Sequence, residues 1–119
     1  MSFRLTYKHG PRMAVAEISA LAFIESAEPV LREIEERTRE HRDQRLLVNL
    51  LDVVGTLGPK EHQALGLLAV RHLGHLKKVA SLVPEDKITR VSEAAAQAAG
   101  MQLRVFTKLT EAVSWLVEE

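Results

Sequence analysis

The stretch RLLVNLL, Arg45 to Leu51, most constrains what this 119-residue chain can fold into. Successive side chains of a strand point to opposite faces, so a run that is apolar at both alternations, Asn49 apart, has two dry faces. It predicts a central strand of a parallel sheet layered with helices. Asp52 ends the run, and Gly55, Gly58 and Pro59 punctuate the next segment. Proline is favoured at the first helical position, so a helix is predicted from Pro59 to about Leu73, just before Gly74.

The remainder of the chain fits that frame. Phe3, Leu5 and Tyr7 alternate with Arg4, Thr6 and Lys8, the period of a strand with one wet face. Gly10-Pro11 breaks the chain and Met13 to Ile18 returns, predicting an antiparallel hairpin. In the next helix Ser26 is the expected N-cap. Pro29 then falls at N3, where its missing N–H is an orphan in any case. Phe23, Ala27, Val30, Leu31, Ile34 and Thr38 share one face of that helix, with Glu33, Glu36, Arg37 and Glu40 opposite. KKVASLVP reads as a second buried strand, stopped by Pro84. Glu85 to Ala99 reads as a helix with surface pairs Asp86 with Arg90 and Glu85 with Thr89, and with a small core side of Val91, Ala94, Ala95 and Ala98. Gly100 suits the residue just past its end. MQLRVF is the last strand, and Thr107 caps a final helix whose Leu109, Ala112, Val113, Leu116 and Val117 form one stripe. The order β-β-α-β-α-β-α-β-α implies right-handed crossovers and a five-stranded, mainly parallel sheet.

Composition sets bounds on function. A chain of this size, read as one domain over residues 1–119, buries roughly two thirds of its unfolded surface. Sixteen basic residues balance sixteen acidic ones, and the longest basic run is Lys77-Lys78, so no nucleic-acid footprint is present. With no cysteine, disulfides, thiolate zinc sites and thiol catalysis are excluded. No apolar stretch approaches the ~20 residues that span a bilayer. MSFRLTYKHG lacks the apolar region of a signal peptide, and a cytoplasmic setting is expected.

Four strings together resemble a known family. PVLREIEERTREHRDQRLLVNLLDVVG is similar to a proline-bearing helix feeding a central strand. LKKVASLVPEDK and QLRVF are similar to the two later strands, and FTKLTEAVSWLVEE to a closing helix with Ala112, Trp115 and Leu116 in register. In order and spacing they resemble the STAS superfamily, closest to its SpoIIAA-like group, which shares a fold with SEC14-like lipid-binding domains. The resemblance implies a βα superhelix acting as a regulatory interaction module of the anti-sigma-factor-antagonist kind. In those proteins a phosphorylatable hydroxyl residue lies in the loop after the third strand. Here the loop is DVVGTLGP: Val53 and Val54 stand where hydroxyls are expected, and Thr56 is the one hydroxyl left.

The loop Asp52–Lys60 is the first candidate site, because open α/β sheets bind at the carboxyl ends of their strands. Asp52, Gly55, Thr56, Lys60 and His62 are the candidate partner- or ligand-contacting residues. The N–H groups that open the helix could hold an anion beside Lys60, and would favour a phosphate on Thr56. Equally, glycine and proline are what a turn requires, and a lone loop hydroxyl does not define a site. His62, His72 and His75 are the candidate metal ligands. Ten residues of straight helix separate the first two by about 15 Å, so one ion cannot bridge them; no metal site is expected, and the three read as solvated imidazoles. The glutamates of the first helix form a solvated charged face, and no G-x-S-x-G, P-loop or H-E-x-x-H is present. No catalytic residue and no cofactor is therefore expected. Leu57, Leu65, Leu67, Leu68 and Leu73 with the alanine-rich third helix could wall a cavity, but ordinary core packing is the expectation; Trp115 reads as a packing anchor. The expected function is a non-catalytic module with an unidentified protein partner, self-pairing through a sheet edge or helix face remaining open. The alternative is a domain that binds a small apolar or anionic ligand.

Overall fold

A computed structural model describes residues 3–22 and 24–118, which form five strands, four α-helices and a short 3-10 turn. Strands β1 (Phe3–Lys8) and β2 (Ala14–Leu21) make the hairpin. Then come α1 (Ile24–His41), β3 (Arg45–Val54), α2 (Pro59–Leu73), β4 (Lys78–Leu82), the 3-10 turn (Glu85–Lys87), α3 (Val91–Ala98), β5 (Leu103–Phe106) and α4 (Leu109–Val117). The strands lie side by side in chain order, the first pair antiparallel and the others parallel. A sheet that grows in one direction by right-handed crossovers keeps its crossover helices on one face. Accordingly Val30, Ile34, Ala69, Leu73 and Ala96 of α1, α2 and α3 join Leu46, Val48 and Val79 in one core. Helix α4 comes after the last strand and makes no crossover; its Ala112 and Leu116 cover Leu47, Ala80 and Leu82 on the opposite face. Leu46, Leu47 and Val48 thus divide between two cores, as the doubly apolar run requires.

Several boundaries differ from the expectation. Helix α1 begins at Ile24, so Ser26 lies within it and Pro29 is interior rather than at N3. The carbonyl deprived of its donor is that of Glu25, in an exposed first turn where water can meet it. Phe23, expected on the core face of this helix, lies outside the described residues. The stretch from Glu85 is not one helix. Pro84 and Ile88 are extended on either side of the 3-10 turn, and the Thr89 hydroxyl accepts the Val91 N–H at 3.3 Å, so α3 starts afresh. Arg90 consequently pairs with Glu93 at 3.1 Å, not with Asp86. Helix α4 is preceded by Lys108 at its N-cap rather than Thr107, with no side-chain cap. The stop at Gly100 is as expected. Its φ is +91°, and the Gly100 and Met101 N–H groups donate to the Gln97 and Ala96 carbonyls in a Schellman arrangement.

Candidate functional site

The site is the carboxyl-end rim of β3 and the loop into α2. β4 stops pairing at Leu82 opposite Asn49, whereas β3 continues along β2 through Asp52, Val53 and Val54 after an irregularity between Glu17 and Ser19. The last residues of β3 therefore have one unpaired edge. The Lys87 Nζ crosses to it from the 3-10 turn, donating to the Val53 carbonyl at 3.2 Å. Gly55 turns the chain with φ +96°, a conformation that side-chain-bearing residues seldom adopt, while the Ala22 N–H holds the Val54 carbonyl at 2.8 Å. Leu21, Val54 and Leu51 leave 57%, 62% and 46% of their surface exposed, so the rim is apolar as well as accessible.

Helix α2 opens as the Gly-Pro pair predicts. The Gly58 N–H donates to Glu61 Oε1 at 2.9 Å, so a carboxylate already complements the free amides and the positive end of the dipole. That reduces the case for an anion there. Asp52, Thr56 and Lys60 are exposed, and His62 is half-buried one turn into the helix. Of the five candidates, Gly55, Thr56 and His62 converge: they line one cavity of about 420 Å³ beneath the loop, and Asp52 and Lys60 do not. Its other walls include Ile18, Val30, Leu65, Ala69 and Val105. Leu65, Leu68 and Leu73 pack in the crossover-face core as expected, the hollow lies beside them, and Leu67 faces outward. On α3 the buried position is Ala96, whereas Ala94 and Ala98, expected on its core side, are exposed.

The histidines also differ from the expectation of solvated rings. His72 is only 6% exposed, with its ring nitrogens 2.9 Å from Glu35 Oε1 and 3.4 Å from Glu28 Oε2, joining α2 to α1. The His72 hydrogen bond is the main cause that holds the Glu35 carboxyl below its ordinary range. His75 Nε2 lies 2.9 Å from the Thr38 hydroxyl, which itself donates to the Glu35 carbonyl. The Nδ1 atoms of His62 and His75 are buried without a partner among the described residues. Burial, before any charge effect, lowers the pKa of both rings, keeping the imidazoles neutral. Among the described residues no group of three or more His, Cys, Asp or Glu is placed to hold a metal.

A second cluster gave no sequence signal. Asp43, buried after α1, accepts a hydrogen bond from the Tyr7 hydroxyl and lies 2.6 Å from His9 Nδ1, while the His9 and His41 rings stack at 4.9 Å. Burial and then Asp43 push the Tyr7 phenol well above its ordinary range. These residues tie the hairpin to the α1–β3 turn at the opposite end of β3 from the loop. Their contacts join positions more than 30 residues apart, which no local spacing reveals.

Fold and site together define an α/β domain with its accessible rim at the carboxyl ends of the strands. The SpoIIAA-like family model matches residues 14–117, and the chain belongs to the SpoIIAA-like family. No curated protein matches it. Among solved structures it is similar to an anti-sigma factor antagonist from Mycobacterium paratuberculosis, with a TM-score of 0.67 and 14% identity over 98% of this chain and 96% of that one. It is also similar to an uncharacterized protein with a SpoIIAA-like fold from Shewanella loihica, with a TM-score of 0.56 and 15% identity over 96% and 93% of the two chains. No helix among the described residues is long and apolar enough to cross a membrane.

Proposed function

We propose that the chain is a non-catalytic regulatory module that acts by binding a protein partner across the β3 rim. The observation that carries this reading is the exposed apolar pair Leu21 and Val54, register neighbours on β2 and β3, beside the exposed Thr56 and Lys60. Apolar surface rimmed by polar groups is the usual composition of a docking patch. The likeness in fold to an anti-sigma factor antagonist supports a partner of the regulatory-protein class, met in the cytoplasm. The usual phosphorylatable serine is not part of this reading: valines fill that stretch, and Thr56 is the loop's single hydroxyl.

The test is affinity capture from the native cell with three baits: the wild type, a Leu21→Asp/Val54→Asp rim variant and Leu109→Asp. Leu109 is 52% exposed at the start of α4, outside the rim. The same partner should be retained by wild type and Leu109→Asp and lost from the rim variant. Retention by all three baits would refute the assignment of the rim. Self-association through the same patch would appear as a concentration-dependent mass for the wild type and Leu109→Asp and not for the rim variant.

A further inference from the structure

At the amino ends of the strands, remote from the β3 rim, the α4 face of the sheet carries cations without a counter-ion. We propose that Arg12 and Arg45 form an anion site that takes a small organic phosphate monoester. The strands place the charges. Leu47 and Ala80 belong to the α4-face core, so Arg45 and Lys78, two residues earlier on β3 and β4, point to the same face. They are register partners, and like charges directly opposite each other are destabilising by themselves. Lys78 is engaged with the Trp115 and Glu118 carbonyls at the end of α4. Arg45 has no such partner. It is half-buried, makes no ion pair or hydrogen bond with any described residue, and its Nε is buried without an acceptor. A guanidinium withdrawn from water without a partner is unfavourable, and a bound anion relieves that penalty.

Arg12 supplies the second cation. It lies in the turn of the hairpin, exposed and without an ion pair among the described residues, and with Pro11, Arg45 and Val117 it lines a hollow of about 430 Å³. No acidic residue is among those four, and Glu118, next to Val117, pairs with neither arginine. Further exposed cations gather at the same end of the sheet: Lys8 closes β1, Arg42 precedes β3 and Lys77 precedes β4. Of the acids there, Asp43 is buried and held by Tyr7 and His9, while Glu40 is exposed in the last turn of α1. The local field is therefore positive although the formal charge of the whole chain is zero.

The ligand class follows from the two forks. A guanidinium binds phosphate or carboxylate through two parallel hydrogen bonds. Two of them match a dianion with acceptors on more than one side. A phosphate monoester approaches that charge near neutral pH and offers three acceptor oxygens, whereas a carboxylate offers one charge and two oxygens. Pro11 and Val117 give the ester's organic part an apolar wall, and 430 Å³ lies within the roughly 300–1,000 Å³ of small-molecule pockets.

The experiment titrates the ¹⁵N-labelled full chain at low salt with phenyl phosphate, and with benzoate and inorganic phosphate as comparison probes. Saturable shifts should centre on the Arg12, Met13, Arg45 and Val117 amides, with phenyl phosphate bound at least tenfold tighter than benzoate and several-fold tighter than inorganic phosphate. Arg12→Met and Arg45→Met should each weaken phenyl phosphate at least tenfold. Lys77→Met removes an exposed cation from the same end but outside the hollow, and should change the affinity less than twofold. No saturable shift with phenyl phosphate up to its solubility limit would overturn the proposal, as would equal affinity for the three anions. A loss from Lys77→Met as large as that from Arg12→Met would also overturn it, since a diffuse field would then suffice. Should Arg45→Met not fold, undiminished binding to Arg12→Met, a change in an exposed turn, overturns it instead. None of these outcomes depends on partner capture, so loss of the anion site and loss of the rim are separately readable.

Discussion

The two faces of the sheet are filled in opposite ways. On the α4 face, Leu47, Ala80, Leu82, Ala112 and Leu116 close on one another, with Phe106 and Trp115 packed around them. Lys78, only 8% exposed, reaches from β4 to the end of α4. Its Nζ donates to the Trp115 and Glu118 carbonyls at 2.9 Å each and lies 4.9 Å from the centre of the Trp115 ring. A cation there satisfies acceptors the helix leaves open and complements its dipole. On the crossover face three helices share a larger core that contains the 420 Å³ hollow. Gly66 of α2 meets α3 so closely that an added Cβ would lie 2.5 Å from the Ser92 carbonyl oxygen. Backbone contact at that point prevents the two helices from sliding to close the gap. Small residues join helices tightly where they touch, and the same lack of side chain leaves the neighbouring wedge unfilled.

The sharpest way to break this comparison is truncation of one large core residue on each face. Leu116 and Leu73 are both almost completely buried. Leu116→Ala leaves a new void in a closed core and should lower the unfolding free energy by about 3–5 kcal/mol. Leu73 already lines the hollow, so its outer carbons have fewer partners to lose; Leu73→Ala should cost about 2–3 kcal/mol. Urea unfolding of both variants decides it, and a larger loss for Leu73→Ala would mean that the crossover face is as tightly filled as the other. Next in size is Lys78→Met, which keeps the stem and removes the cation. Losing two charge-assisted bonds at the end of α4 should cost about 1.5–3 kcal/mol in the same assay. An unchanged midpoint would show that water replaces the ammonium without penalty.

The asymmetry also explains what could be read before any coordinates. Alternation and the doubly apolar run from Leu46 reveal which residues face a core, so element order, helix count and the α2 start follow from local pattern, although Leu51 at the rim is exposed. Pattern says nothing about whether a face is full. Leu65, Gly66 and Ala69 look the same in sequence whether they close on a neighbour or border a gap, so no sequence pattern reveals the hollow. The loop candidates lie along the rim, but sequence cannot separate Asp52 and Lys60 from Gly55, Thr56 and His62, because the separation depends on which way each residue faces. His72 and Asp43 were missed for a related reason: their partners, Glu35 and Tyr7, come from distant segments and are fixed only by packing.

Acid sensitivity should belong to the crossover face. A histidine whose folded pKa is lowered is less protonated in the folded chain than in the unfolded one. The unfolded chain then takes up protons as pH falls through its own value, near 6.5 for His62 and His75, and stability falls with it. Glu35 adds a second, more acidic step, because its lowered pKa contributes stability above about 4.5 that is lost as pH drops below that value. Chemical denaturation between pH 7 and 5 should show stability decreasing, and His75→Leu should flatten the slope while Leu116→Ala shifts the whole curve without changing its shape. A slope that survives both His75→Leu and His62→Phe would assign the titration elsewhere.

The smallest expected effect lies at the turn that feeds both faces. Arg42, between α1 and β3, has φ +57°, and it is the one non-glycine among the described residues with positive φ. It lets the Asp43 N–H return to the Thr38 carbonyl at 2.9 Å and delivers the Asp43 carboxylate to Tyr7 and His9. A side chain in that region costs about 1 kcal/mol, which glycine avoids, while glycine also makes the unfolded chain freer. Arg42→Gly should therefore stabilise the chain by a few tenths to about 1 kcal/mol in urea unfolding. It should leave the difference between Leu116→Ala and Leu73→Ala unchanged, since the turn feeds β3 and so serves both cores equally. If that difference changed instead, the turn would be setting how α1 lies on the sheet, and the hollow would owe its size to the strain at Arg42 rather than to the small residues of α2 and α3.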